Sequence, residues 1–256
     1  MRIANGVEML EIQANIMGKL DYIHPVFIWD ENEAILVDTG FPGQLAKFRE
    51  AVGKAGIDFD QLSKIVITHQ DLDHIGSLPD LVSELPHQVE VLSHPLEQPY
   101  IQGEQRLLKL SPEAVTQAIE SLPEDVPEEW RKAFQAVLEN PPHAKVDQTV
   151  TDGDELPYCG GIIIIHTPGH TPGHINLYHK QSKTLIAGDA LAVEEGRLVG
   201  PDPRYTLDMN LAVKSLKKLT RYDIETVICY HGGLYQKNTN RRIEELSEGY
   251  KMYRHD

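Results

Sequence analysis

Two rhythms of apolar and polar residues run along this chain. Short β-branched runs that end on a polar residue read as buried strands: PVFIWD (25–30), AILVDTG (34–40), KIVITH (64–69), VEVLSH (89–94), GIIIIHT (161–167), HINLYH (174–179), TLIAGD (184–189) and ETVICYH (225–231). Between them apolar positions recur every three or four residues, which predicts helices over 42–56, 76–85, 207–222 and 238–253. Alternating strands and helices indicate an α/β fold. The first-half pair AILVD and IVITH is echoed by TLIAGD and VICYH in the second half, as expected for two similar sheets packed face to face with helices outside. From Leu96 to Val150 the strand signal disappears, and SPEAVTQAIESL and PEEWRKAFQAVLEN open on Pro and acidic residues, which mark helix starts. This predicts a helical insertion at about 96–150 within one domain spanning 1–256, because the segment is too short to bury much of a core alone. The insertion is expected to cap a site or to form a contact between two copies in a homodimer.

The stretch THQDLDHIG (68–76) sets His69, Asp71, Asp73 and His74 within six residues, directly after the apolar run KIVI. A solvated loop has no reason to collect two imidazoles and two carboxylates in that order, so the array reads as metal-ligating. Three other apolar strands lead into residues of the same chemistry: His170 after IIIIHTPG, Asp189 after TLIAG and His231 after VICY. Ligands of α/β folds gather beyond the carboxyl ends of strands, so residues at these ends can converge. The remaining histidines are scattered and read as ordinary polar or partly buried residues.

Taken in order, HQDLDH, TPGHTPGH, AGDA and YHGG resemble the signature of the metallo-beta-lactamase-fold hydrolase superfamily across nearly the whole chain. The resemblance implies an αββα sandwich with a dinuclear metal site at one edge. It assigns His69, Asp71 and His170 to a first ion and Asp73, His74 and His231 to a second, with Asp189 bridging. It also matches Asp38 to an aspartate that supports a ligand histidine, a sensible role because a ligating imidazole donates its other N–H to a carboxylate or carbonyl. His174 is expected near the site, either touching substrate or supporting the ligands. Asp71 departs from the family pattern, which has histidine there; flavodiiron proteins also carry a carboxylate at this position. The implied cofactors are therefore two divalent metal ions, zinc first, with iron or manganese as alternatives favoured by the harder oxygen ligand.

The implied activity is hydrolysis of an ester-like carbonyl by a metal-bound hydroxide, with Asp73 as the catalytic residue that orients the nucleophile or passes on its proton. Three carboxylates and one hydroxide neutralise two divalent ions, which favours neutral lactones or thioesters over phosphodiesters. The size and inserted helices resemble N-acyl homoserine lactone lactonases, but Ala192 stands where those enzymes often have a tyrosine; Tyr100 or Tyr205 is the candidate source of a hydroxyl instead. A glyoxalase II identity is disfavoured by the short stretch after His231. A di-iron or mono-iron oxidoreductase and a phosphodiesterase are the alternatives.

Composition narrows the partners. A formal net charge of −15 argues against nucleic acid, which needs a basic footprint. No apolar run approaches the length of a membrane span and MRIANGVEML lacks a signal-peptide pattern, so a cytoplasmic protein acting on a small-molecule substrate is expected, without membrane contact. Cys159 and Cys229 show no metal-ligand spacing and are expected to be buried.

Overall fold

The computed structural model describes residues 1–16 and 19–249. Two sheets face each other between outer layers of helix. The first has seven strands in spatial and sequence order, Arg2–Ala4, Val7–Met9, Val26–Trp29, Ala34–Val37, Leu62–Ile67, Glu90–Ser93 and Gln148–Thr149. The second has six, Glu155–Leu156, Ile162–His166, Ile175–His179, Thr184–Ile186, Thr226–Cys229 and Gly233–Tyr235. This is the αββα sandwich that the resemblance implies.

The period of two in each strand explains the layering. Ile35 and Val37 join Val26, Ile28 and Val66 against Ile162, Ile164 and Ile175 in the space between the sheets. Their neighbours Ala34 and Leu36 face outward and pack with Phe48 and Val52 of helix Leu45–Lys54 and with Leu78 and Leu81 of helix Leu78–Glu84. On the opposite flank Leu185 and Val227 meet Leu216 of helix Met209–Leu216 and Ile243 of helix Thr239–Ser247. Each such fully buried aliphatic side chain contributes roughly 1.5–3 kcal/mol relative to exposure. The helix expected over 238–253 runs into residues 250–253, which lie outside the described residues.

Several strands left no run for the sequence to reveal. Arg2–Ala4, Val7–Met9 and the hairpin Ile12–Ile16 with Lys19–Ile23 are short or mixed in polarity. A further hairpin, Ala192–Glu194 with Arg197–Val199, follows Asp189.

The segment 96–150 carries helices Gln98–Ile101, Pro112–Glu120 and Glu128–Glu139. Ser111 caps the second through its side chain, which accepts from the Ala114 N–H. The expectation that strands vanish throughout this segment needs one correction. Gln148–Thr149 returns to the first sheet, pairing parallel with Glu90–Ser93, and two residues are too few to leave a periodic signal. Among the described residues no helix is long and apolar enough to cross a membrane.

Candidate metal centre

Parallel pairing aligns the carboxyl ends that matter. Ala34–Val37 runs parallel to Leu62–Ile67, so Asp38 emerges beside Thr68-His69. Thr184–Ile186 runs parallel to Thr226–Cys229, so Asp189 emerges beside Tyr230-His231. The turn after Leu62–Ile67 continues into the short helix Leu72–Ile75, which carries Asp73 and His74. His170 comes from the loop joining Ile162–His166 to Ile175–His179.

These residues form two groups whose candidate ligand atoms each lie within 4.8 Å of one another: His69, Asp71, His170 and Asp189, and Asp73, His74 and His231. In the first, Asp71 Oδ2 is 3.2 Å from His69 Nε2 and 3.0 Å from His170 Nε2. In the second, Asp73 Oδ2 is 3.3 Å from His231 Nε2 and 3.7 Å from His74 Nε2. Asp189 reaches both, with Oδ2 3.4 Å from His170 Nε2 and 3.6 Å from His231 Nε2, and Oδ1 3.3 Å from His74 Nε2.

A hydrogen-bond network fixes which ring nitrogens face inward. Asp38, buried and held at a left-handed φ of 64°, accepts from His74 Nδ1 at 2.9 Å and from the Thr68 N–H at 2.8 Å. The Thr68 hydroxyl donates to Asp38 Oδ2 at 2.8 Å and accepts from His69 Nδ1 at 3.0 Å. One carboxylate therefore sets both tautomers, directly for His74 and through Thr68 for His69. Thr206 Oγ1 gives its proton to the Asp202 carbonyl and lies 3.4 Å from His170 Nδ1, turning that ring the same way. As a result His69 Nε2, His74 Nε2 and Asp189 Oδ1 are buried without a hydrogen-bond partner. Buried orphan acceptors aimed at one another are costly unless a cation takes their lone pairs, so this donor set fits divalent metal ions.

The charges around the site agree. Burial pushes the Asp71 carboxyl upward, but His69, His170 and Lys109 outweigh it and hold the group well below the usual carboxylate range. Burial likewise opposes ionisation of Asp189, which His231 and His74 nevertheless keep well below that range. The same carboxylates act in reverse on the imidazoles: burial lowers His231, yet Asp189 and Asp73 raise it to about 10. This is a pocket whose carboxylates demand nearby positive charge.

The other expected residues fall differently. His174 is fully buried; its Nδ1 bonds Thr167 Oγ1 at 3.0 Å and its Nε2 accepts from the Asp189 N–H at 3.0 Å. It steadies the Asp189 backbone, so the expected option of substrate contact is corrected: both nitrogens are used and the ring has no exposure. Gly188 makes room for that ring, since a Cβ at its φ of 47° would stand 2.7 Å from His174 Nε2. Tyr100 packs on the apolar layer that contains Phe48, Val52, Leu78 and Leu81, and lines a cleft of about 490 Å³ with Arg106 and His143, in which no ligand residue takes part. Tyr205 is exposed, with the Arg204 guanidinium 5.4 Å from its ring centre. Neither tyrosine hydroxyl hydrogen-bonds a residue of the two ligand groups, and Tyr205 stands next to Thr206, which lies 3.4 Å from His170 Nδ1.

Four residues of the site escaped the sequence reading. Lys109, in a turn of the 96–150 segment, bonds Asp71 Oδ2 and donates to His170 Nε2 at 2.7 Å. Glu97, fully buried, accepts from the Gln70 N–H at 3.0 Å and from the Gly173 N–H at 2.6 Å, clasping the two ligand loops together. Gln70 extends that clasp, donating from Nε2 to Glu97 and accepting from the Leu108 N–H at 2.7 Å. Tyr230 stacks on His74 with ring centres 3.9 Å apart and donates to the Asp73 carbonyl. Only Tyr230 offered a signal, as the residue before His231. Both cysteines are buried as expected, with burial raising Cys159 to about 12.

Residues 18–231 match the family described as Metallo-beta-lactamase superfamily. The probable metallo-hydrolase YflN of Bacillus subtilis (strain 168) is 27% identical over 226 residues, covering 83% of this chain and 81% of that protein. A hydroxyacylglutathione hydrolase of Brucella anthropi is 36% identical over a shorter stretch of 98 residues, 38% of this chain and 35% of that protein. Among solved structures, a metallo-beta-lactamase family protein from Thermus thermophilus shares the fold at a TM-score of 0.68 and 24% identity, over 96% of this chain and 80% of that one. The extent of the family match, over strands, ligand loops and His231 alike, shows that this chain belongs to the metallo-beta-lactamase superfamily.

Proposed function

We propose that this chain is a dinuclear metal-dependent hydrolase of ester-like carbonyl compounds, with thioesters and lactones as its substrate classes. The observation that carries this reading is the meeting of two ligand groups at Asp189, with buried acceptor atoms of His69, His74 and Asp189 left without partners. His69, Asp71 and His170 would hold one cation, Asp73, His74 and His231 the other, and Asp189 both. Such a pair, when bound, supplies an acidified water and an electrophilic clamp for a carbonyl oxygen.

The chain's own groups have separate tasks. Asp38 and Thr68 hold the rings of His74 and His69 by their Nδ1 atoms, so that each Nε2 is aimed into the pocket. His174 holds the Asp189 backbone. Asp73 is the most exposed of the three carboxylates, its side chain 21% accessible against 15% for Asp71 and 12% for Asp189, which suits it to take a proton from the attacking water.

Thioesters draw support from the local likeness to hydroxyacylglutathione hydrolases. Three carboxylates and a hydroxide balance two divalent ions and so support neutral substrates, while Lys109, displaced from Asp71 to the accessible edge of the first group, would add a positive charge that an anionic acyl group can meet. The test is a panel of lactones, thioesters and phosphodiesters, assayed with protein loaded separately with zinc, manganese and iron, alongside elemental analysis. About two ions per chain with turnover of a thioester or lactone is expected. No metal after supplemented expression, or turnover of phosphodiesters alone, would sink the reading.

A further inference from the structure

Lys109 is the one lysine or arginine that pairs with a ligand carboxylate among the described residues: Asp73 and Asp189 pair only with histidines. Its ammonium bonds Asp71 Oδ2 and His170 Nε2, two of the atoms that a first-group cation would need. The contact is built into the fold. Leu107 is anchored in the core, and Leu108 is tied by its N–H to Gln70, which Glu97 grips in turn. The backbone on the N-terminal side of Lys109 is thereby pinned to the same clasp that holds the loop of His69 and Asp71. A tethered ammonium acts at a high effective concentration, while two like charges a few ångströms apart repel strongly in a partly buried site. The lysine stem is flexible and its side chain is 21% accessible, so it can leave without unfolding the turn.

We propose that Lys109 is a built-in competitor for the first ligand group, so that a cation entering there must displace its ammonium and the second group fills first. The proposal rests on the dinuclear reading above. It makes the two groups unequal in affinity although each contributes two histidines and one aspartate besides Asp189.

The test titrates chelator-stripped full-length protein with zinc by calorimetry and with cobalt by absorption, using wild type, Lys109→Met and Lys109→Arg. His170→Ala and His231→Ala variants assign each step to its group. Wild type is expected to bind in two separated steps, the tighter one lost in His231→Ala. Lys109→Met keeps the stem and removes the charge, and should tighten the weaker step about ten- to a hundredfold, as expected when a charged hydrogen bond no longer competes, with the tighter step changed less than about twofold. Lys109→Arg should keep the steps apart. An unchanged or weaker first-group constant in Lys109→Met overturns the proposal while leaving the dinuclear reading intact. Failure of wild type and Lys109→Met alike to take up two ions overturns both.

Discussion

The two ligand groups have nearly the same composition, yet the fold treats them differently. The first is closed in: His69 and His170 are buried, Glu97 clasps the loops beneath it, and Lys109 reaches it from the inserted segment. The second leans on Asp38 and Tyr230, and its His231 side chain is 36% accessible. Asp189 belongs to both. The contrast shows that a pair of similar ligand sets becomes an asymmetric site through the groups behind the ligands, which come from different parts of the chain.

The comparison breaks most completely at its shared member. Asp189→Ala should lower kcat/KM by on the order of 10³-fold and leave at most one ion per chain, whereas His231→Ala should spare the first group. Parallel activity and elemental measurements check this. Two ions retained by Asp189→Ala would show that the groups do not share it.

Next in size is the clasp behind the first group. Glu97→Ala leaves the Gln70 and Gly173 N–H groups buried without an acceptor, and should destabilise the chain by about 3 kcal/mol in urea unfolding. In metal titrations the same variant should weaken the first group more than the second. An equal loss at both would make Glu97 a general stabiliser with no preference between them.

Asp38→Asn addresses the other side. It removes the charged acceptor of His74 Nδ1 directly and reaches His69 only through Thr68, so second-group affinity should fall about 10–100-fold, and first-group affinity less. Calorimetric titration separates the two steps, and a larger loss at the first group would reverse the assignment.

The smallest expected effect is acid sensitivity near the clasp. His94 stacks on His166 at 4.1 Å between ring centres, and burial, with His166 beside it, lowers its pKa to about 4. Its folded value lies below that of the unfolded chain, so its contribution is complete above about pH 6.5 and is lost as pH falls toward 4. His94→Gln should make the loss of stability over that window shallower by about 1 kcal/mol once screening by nearby solvent is allowed for, measured by unfolding at several pH values. Identical slopes would remove His94 from the acid response.

What the sequence determined by itself is the set of strand ends. Asp38, His69, Asp189 and His231 each follow an apolar run, and a run buried on both faces has to end where a polar residue appears, so the ligand candidates were legible as punctuation. The two sheets were legible in the echo of AILVD and IVITH by TLIAGD and VICYH, whereas only the packing shows which faces Ile35 and Leu36, or Ile164 and Ile165, turn to. Tertiary structure alone decided Lys109, Glu97 and the fate of Tyr100. Lys109 meets Asp71 across 38 residues and Glu97 meets Gly173 across 76, distances over which no local period carries information. Tyr100 lies three residues beyond Glu97, but the single helical turn Gln98–Ile101 sends its ring to the core while Glu97 stays beneath the ligands. Strand ends follow from local burial, whereas the charge that faces a ligand depends on which loops the packed sheets bring together.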